Sequence, residues 1–265
     1  MEFSDIRYEI EDFVATITLN RPEKLNAASW GTWAEIENAI ALANVDDDVR
    51  CVVITGEGRG FCAGTDLTVT SAEDQWPRRP HQGRGGRVRS RYLGTSDVYN
   101  CAKPTIAAVN GVSVGAGFSL ALACDIRIAA EGARFSAIFV KRAIVADTGC
   151  TWFLPRLIGP ARALELLYTG RMVNAADALA MGLVNEVVPL DALMTRARAL
   201  ATEIAHGPSL AIELDKRLVR EAFDRGLEAH TELEQFLQGY THGTEDAAEG
   251  RNSFLEKREP VFKGR

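Results

Sequence analysis

Alternation of apolar and polar residues marks the start of the chain. Ile6, Tyr8 and Ile10 recur at every second position, and Phe13-Val14-Ala15-Thr16-Ile17-Thr18-Leu19 follows as a β-rich run. The pattern predicts two strands joined across Glu11-Asp12. Asn20-Arg21-Pro22 ends the second strand. Ser29 then offers a cap to a helix in which Trp30, Trp33, Ile36, Ile40 and Ala43 recur at helical spacing. Three short apolar runs follow, each closed by glycine: Cys51-Val52-Val53-Ile54-Thr55, Thr105-Ile106-Ala107-Ala108-Val109 and Asp125-Ile126-Arg127-Ile128-Ala129. Buried strands of parallel sheets read this way, and helical stretches lie between them, so the pattern predicts an α/β fold with several crossovers.

The pattern changes after Pro160. Helices are predicted over 161–168, 175–181, 190–205, 209–239 and 245–256, interrupted by one strand over 184–188. Leu210, Leu214, Leu218, Ala222 and Phe223 mark one apolar stripe there, which must cover a core or a partner. The organisation expected is an α/β core over about 1–190 and a C-terminal helical region over 191–265. One stretch has neither period: residues 78–91 carry six arginines, three glycines and no acid. It reads as a charged loop, with a lid over an anionic ligand as the alternative.

Composition narrows the class. The 265 residues are 46% hydrophobic and 25% charged, which excludes a disordered chain or a disulfide-stapled miniprotein. The formal net charge of -6 argues against general nucleic-acid binding, although the 78–91 stretch leaves RNA as a minor alternative. No apolar run is long enough to span a membrane and no secretory signal is visible. Five cysteines without a CxxC pair predict buried, reduced thiols and a cytoplasmic setting. His206, His230 and His242 lack metal-ligand spacing, so no metal is expected. Trp30, Trp33 and Trp152 are expected in the core.

Two glycine-rich turns carry the candidate chemistry: Gly56 to Leu67, and Asn110-Gly111-Val112-Ser113-Val114-Gly115-Ala116-Gly117-Phe118. Neither matches a Rossmann fingerprint, a P-loop or a nucleophile elbow. Small residues before a helix leave N–H groups facing outward, where the helix dipole favours negative charge. Turns ending at Ala63-Gly64 and Ala116-Gly117 can aim two donors at one oxygen, an oxyanion hole commonly worth about 2.7–4 kcal/mol per donor. Chain reversal alone also explains such turns.

Longer motifs are more specific. Asn20-Arg21-Pro22-Glu23-Lys24-Leu25-Asn26-Ala27, Gly60-Phe61-Cys62-Ala63-Gly64-Thr65-Asp66-Leu67, Lys103-Pro104-Thr105-Ile106-Ala107-Ala108-Val109-Asn110-Gly111 and Cys124-Asp125-Ile126-Arg127-Ile128-Ala129 occur in the order found in the enoyl-CoA hydratase/isomerase (crotonase) superfamily. The stretch from Asp147 to Arg156 and the end from Phe254 to Pro260 match as well, so the chain resembles that family over essentially its whole length. The resemblance implies a crotonase-like α/β spiral of ββα turns with a C-terminal helical trimerisation region, assembled as a trimer or a dimer of trimers. It implies a coenzyme A thioester as substrate and no separate cofactor. It assigns the oxyanion donors to the N–H groups of Ala63 and Ala116, with Gly117 beside them. It places coenzyme A near Lys24, Leu25, Ala27, Asp66 and Leu67, with Phe254 and Lys257 approaching from a neighbouring subunit.

One departure decides the expected chemistry. The two glutamates of the family's hydratases fall at Ser119 and Phe139 here. Serine is no base near neutral pH without an activating partner, and phenylalanine transfers no proton. Asp147 remains. On its own it reads as a turn or cap residue, but the resemblance to aspartate-using isomerase-like members makes it the acid/base of a double-bond or proton shift. Ser119 would then hold a water or the substrate. The alternatives are a hydratase with a non-standard acid/base set, such as Asp147 with His81, and a non-catalytic acyl-CoA-binding protein.

Overall fold

A computed structural model describes residues 3–68 and 94–265. His81 and the arginine-rich 78–91 stretch lie outside the described residues. In chain order the elements are β1 (Ile6–Glu11), β2 (Val14–Leu19), α1 (Trp30–Val45), β3 (Cys51–Gly56), β4 (Gly60–Cys62), α2 (Gly94–Asn100), β5 (Thr105–Val109), β6 (Val112–Val114) and α3 (Ala116–Ala123). They continue with β7 (Ile126–Ala130), β8 (Arg134–Ser136), α4 (Cys150–Ile158), α5 (Pro160–Thr169), β9 (Val173–Asn174), α6 (Ala175–Ala180) and β10 (Glu186–Val188). The tail holds α7 (Leu193–Ala205), α8 (Ser209–Glu221), α9 (Leu227–Thr241) and α10 (Glu245–Glu256).

The strands form two sheets, one of six strands in the order β1-β2-β3-β5-β7-β10 and one of four in the order β4-β6-β8-β9. Among the described residues only β1–β2 and β8–β9 are antiparallel. Strands β2, β3 and β5 are buried along their whole length. Their alternate residues therefore serve two cores. Ala15, Ile17, Val52, Ile54, Ala107 and Val109 face α1 and α3. Val14, Cys51, Val53, Ile106 and Ala108 face Ala197, Ala201 and Ala205 of α7. Alanine at every fourth position brings that helix close to the sheet. The region beginning at residue 191 thus starts by covering one face of the sheet, so α7 is part of the core.

Helix α1 begins with a reciprocal cap. The Ser29 hydroxyl accepts from Thr32 N–H at 3.1 Å, and the Thr32 hydroxyl accepts from Ser29 N–H at 3.0 Å. Beyond α7 the tail is tied to the core by charge. Asp125 accepts from Thr105 N–H at 2.8 Å and pairs with Lys216 at 2.6 Å and Arg220 at 2.8 Å. No residue of α8 is fully buried, and Leu237 alone is buried on α9. Phe236, Tyr240 and Phe254 stay exposed.

Several expectations are corrected. The helix expected over 209–239 is two helices, broken at Ala222–Asp224 and at Arg225, whose backbone is extended before Gly226 opens α9. Glycine is a poor interior helix residue, and no buried contact there offsets its cost. Trp30 and Trp152 are exposed rather than core. Trp152 instead carries the Arg156 guanidinium 3.8 Å from its ring centre. All five cysteines are free and buried, as expected. Among the described residues no helix is long and apolar enough to cross a membrane.

Candidate active site

The small sheet positions the site. Its strands β4 and β6 run in parallel and each ends in a glycine turn. Gly117, in the first turn of α3, lets that helix touch β4. A Cβ there would fall 2.2 Å from the Cys62 carbonyl oxygen. The glycine at 117 is therefore buried against the fold, serving close approach. The two turns also abut: a Cβ on Gly64 would stand 3.6 Å from the Ala116 nitrogen. Gly115, with φ 56° and ψ -127°, turns the chain into α3 and leaves the Ala116 N–H at the helix start.

Backbone hydrogen bonds locate the free donors, and here the sequence expectation is corrected. The Ala63 N–H donates to the Leu25 carbonyl at 3.0 Å, so it is occupied. One bridge further on, Gly64 C=O accepts from Ala28 N–H at 2.7 Å and Asp66 N–H donates to Ala28 C=O at 2.9 Å. In a parallel bridge of this kind the intervening residue, Thr65, points its own N–H away from Ala28. The N–H groups of Thr65 and Ala116 have no acceptor among the described residues. The pair of open donors is Thr65 and Ala116, not Ala63 and Ala116.

Leu25 is held for its part by a tight local network. Leu25 and Asn26 both adopt left-handed backbone, with φ 51° and 57°. The buried Asn26 side chain donates to the carbonyls of Glu57 and Gly60 and accepts from Arg21 N–H at 2.8 Å. Arg21 also donates to the Ala27 carbonyl at 2.6 Å and pairs with Asp66 at 2.9 Å. Lys24 reaches the same Asp66 oxygen at 2.8 Å. The other Asp66 oxygen accepts from Thr68 N–H and hydroxyl. Lys24 and the Thr68 hydroxyl hold the buried Asp66 carboxyl far below its ordinary range, with Arg21 adding to them. Both Asp66 oxygens are engaged, so this side chain anchors Lys24 rather than meeting a ligand itself. Lys24 and Leu67 remain exposed, and Ala27 is half-buried.

Asp147 sits in a different setting. Its carbonyl accepts from Cys150 N–H at 3.0 Å, closing a turn through Thr148 and Gly149, both at positive φ. The turn opens α4. Cys150 packs beside Ser119, one turn along α3 from Ala116, which brings the aspartate turn against that helix. No cation pairs with Asp147 among the described residues. Partial desolvation pushes its carboxyl upward. Burial pushes the Cys150 thiol up to about 12, so it stays protonated.

The two positions expected to hold hydratase glutamates are closed. Ser119 is fully buried, and its hydroxyl bonds back to the Gly115 carbonyl at 3.4 Å within its own helix. This corrects the expectation that Ser119 meets water or substrate. Phe139 is buried in the apolar core. At the far end of the chain, Phe254 is exposed and Lys257 ends α10 in left-handed backbone.

Sequence reasoning missed Thr65 and Arg21. The signal for Thr65 was the place of Gly64 in the motif: a bridging strand that uses the carbonyl of 64 frees the N–H of 65.

The family model for enoyl-CoA hydratase/isomerase matches residues 9–265. The chain is 38% identical over 266 residues to the 1,2-epoxyphenylacetyl-CoA isomerase of Escherichia coli, with 100% of both chains covered. It is 35% identical over 263 residues to the crotonyl-CoA hydratase of Syntrophomonas wolfei, with 99% of each covered. A crystal structure of an enoyl-CoA hydratase/isomerase from Mycobacterium paratuberculosis superposes with a TM-score of 0.91 at 32% identity, covering 100% of both chains. Motifs, fold and relatives converge, and the chain belongs to the enoyl-CoA hydratase/isomerase (crotonase) superfamily.

Proposed function

We propose that the protein shifts a double bond within an acyl-CoA thioester, with Asp147 as the single acid/base. The observation that carries this is the contrast of three side chains: Ser119 and Phe139 are buried and move no proton, while Asp147 is exposed, only partly desolvated and unpaired with any cation among the described residues. The thioester carbonyl accepts from the N–H groups of Thr65 and Ala116. Asp147 carboxylate takes a proton from the acyl chain, and the C–H electron pair moves through the conjugated system onto the carbonyl oxygen. The resulting enolate is held by the two donors and by the start of α3. Collapse of the enolate takes the same proton back from Asp147 at another carbon. Protons and electrons balance without water, a metal or a redox partner. Hydration, in contrast, needs an oriented water and management of two protons.

The remaining parts of the reading follow the family. Coenzyme A lies along Lys24, whose ammonium Asp66 holds in place, and along the backbone of Leu25, Ala27 and Leu67. Exposed Phe254 and Lys257 approach the ligand of a neighbouring subunit in a trimer or dimer of trimers. Five buried free thiols support a reducing, cytoplasmic setting.

Incubation of the protein with a 3-enoyl-CoA and with crotonyl-CoA tests the assignment. Gain of conjugated absorbance from the first, with hydration of the second at least about tenfold slower, is expected. Fast loss of crotonyl-CoA absorbance without isomerisation supports a hydratase instead. Binding of both esters without turnover supports a non-catalytic acyl-CoA binder.

A further inference from the structure

The turn that carries Asp147 is conformationally demanding. Thr148 has φ 52° and Gly149 has φ 83°. A β-branched residue such as Thr148 disfavours that region and stays there only when its surroundings hold it. Gly149 cannot be replaced, since a Cβ would fall 2.5 Å from the Phe153 ring. The holding contact comes from α2. The hydroxyl of Thr95, which is 2% exposed, donates to the Thr148 carbonyl at 2.9 Å across 53 residues of sequence. One helical turn on, the Tyr99 ring packs against Trp152 and Phe153, with ring centres 5.0 and 5.4 Å apart. Helix α2 thus grips the Asp147 turn on one side and the first turn of α4 on the other.

We infer that Thr95 is a positioning residue for Asp147: its buried hydroxyl bond to the Thr148 carbonyl fixes the left-handed turn that aims the carboxyl at the acyl chain. The inference rests on the reading of Asp147 as the acid/base. Without the hydroxyl, the Thr148 carbonyl loses its donor and the turn relaxes toward less strained backbone. Proton transfer tolerates little misplacement, so the cost falls on the chemical step and not on binding.

The test compares Thr95→Val, Thr95→Ala and Thr95→Ser with Asp147→Asn in the double-bond shift. Thr95→Val and Thr95→Ala are expected to lower kcat roughly 10- to 100-fold, with KM held within about twofold. Thr95→Ser, which keeps the hydroxyl, is expected to regain most of the rate. Thr95→Val removes the donor with little change in bulk, and Thr95→Ala, which puts no apolar group in the hydroxyl's place, keeps the comparison if the valine variant does not fold. Thr95→Ala with wild-type kcat, a loss confined to KM, or a serine variant as slow as the alanine one overturns the inference. If Asp147→Asn is slow while Thr95→Ala is fast, only this inference fails. If Asp147→Asn keeps the wild-type rate, the acid/base reading fails and the inference with it.

Discussion

Two aspartates flank the paired glycine turns, and their surroundings are opposite. Asp66 is buried, accepts from Thr68 and is clamped by Arg21 and Lys24, which drive its carboxyl down. Asp147 pairs with no cation among the described residues, and partial desolvation drives its carboxyl up. A carboxylate with both oxygens engaged is a structural anchor, whereas one without a cation beside it, its affinity for protons raised by partial desolvation, can shuttle a proton. The residue type is the same; the neighbours assign the work. The contrast extends to the backbone, because the clamp around Asp66 fixes the strand that presents Thr65, and the strained turn at Thr148 presents Asp147.

The comparison can be broken at several points. On the Asp66 side of the comparison, the largest effect is expected on the donor that the clamp holds. Thr65→Pro removes one N–H and is expected to lower kcat by about 10²–10³, measured on a 3-enoyl-CoA. Retention of the rate would move the oxyanion site elsewhere. Next, Asp66→Asn leaves Arg21 and Lys24 facing a neutral partner. It is expected to cost about 1.5–3 kcal/mol of stability, read in urea unfolding, and to raise KM for the coenzyme A ester as Lys24 is released. Because the folded-state pKa of Asp66 is lowered, the stability it supplies is present above the ordinary carboxylate range and is lost as pH falls below it.

The smallest effect has the opposite sign. Asp147 has a raised folded-state pKa, so between its ordinary and raised values the folded chain binds more protons than the unfolded one. Stability from this group is present at low pH and falls as pH rises through that window. Asp147→Asn is therefore expected to raise Tm at neutral pH, by at most about 2 °C. In the same direction, kcat should climb with pH along a limb placed above the ordinary carboxylate value, as the base ionises. A limb at the ordinary value contradicts the desolvated setting.

The sequence and the structure agree most where burial is continuous. Strands β2, β3 and β5 are wholly buried and read as apolar runs, so the large sheet was visible in the pattern. The small sheet was not, since β4, β6 and β8 are three residues long and β9 is two. No period develops over so few positions. Asp147 was legible because a candidate acid/base is a side chain, which the sequence names directly. Thr65 was not, because the donor is a backbone N–H whose direction depends on the Ala28 bridge, not on residue type. Ser119 misled for a related reason: its polar hydroxyl turned back onto the Gly115 carbonyl. The break at Arg225 in the helical tail was not legible because the apolar stripe of Leu210, Leu214, Leu218, Ala222 and Phe223 runs unbroken up to it.

The central claim is that one aspartate carries the proton. Steady-state isomerisation of a 3-enoyl-CoA by the wild-type protein and by Asp147→Asn, both shown to be folded by Tm, tests it most directly. The account predicts a fall in kcat of at least about 10³-fold with little change in KM. An Asp147→Asn variant that isomerises at the wild-type rate contradicts it.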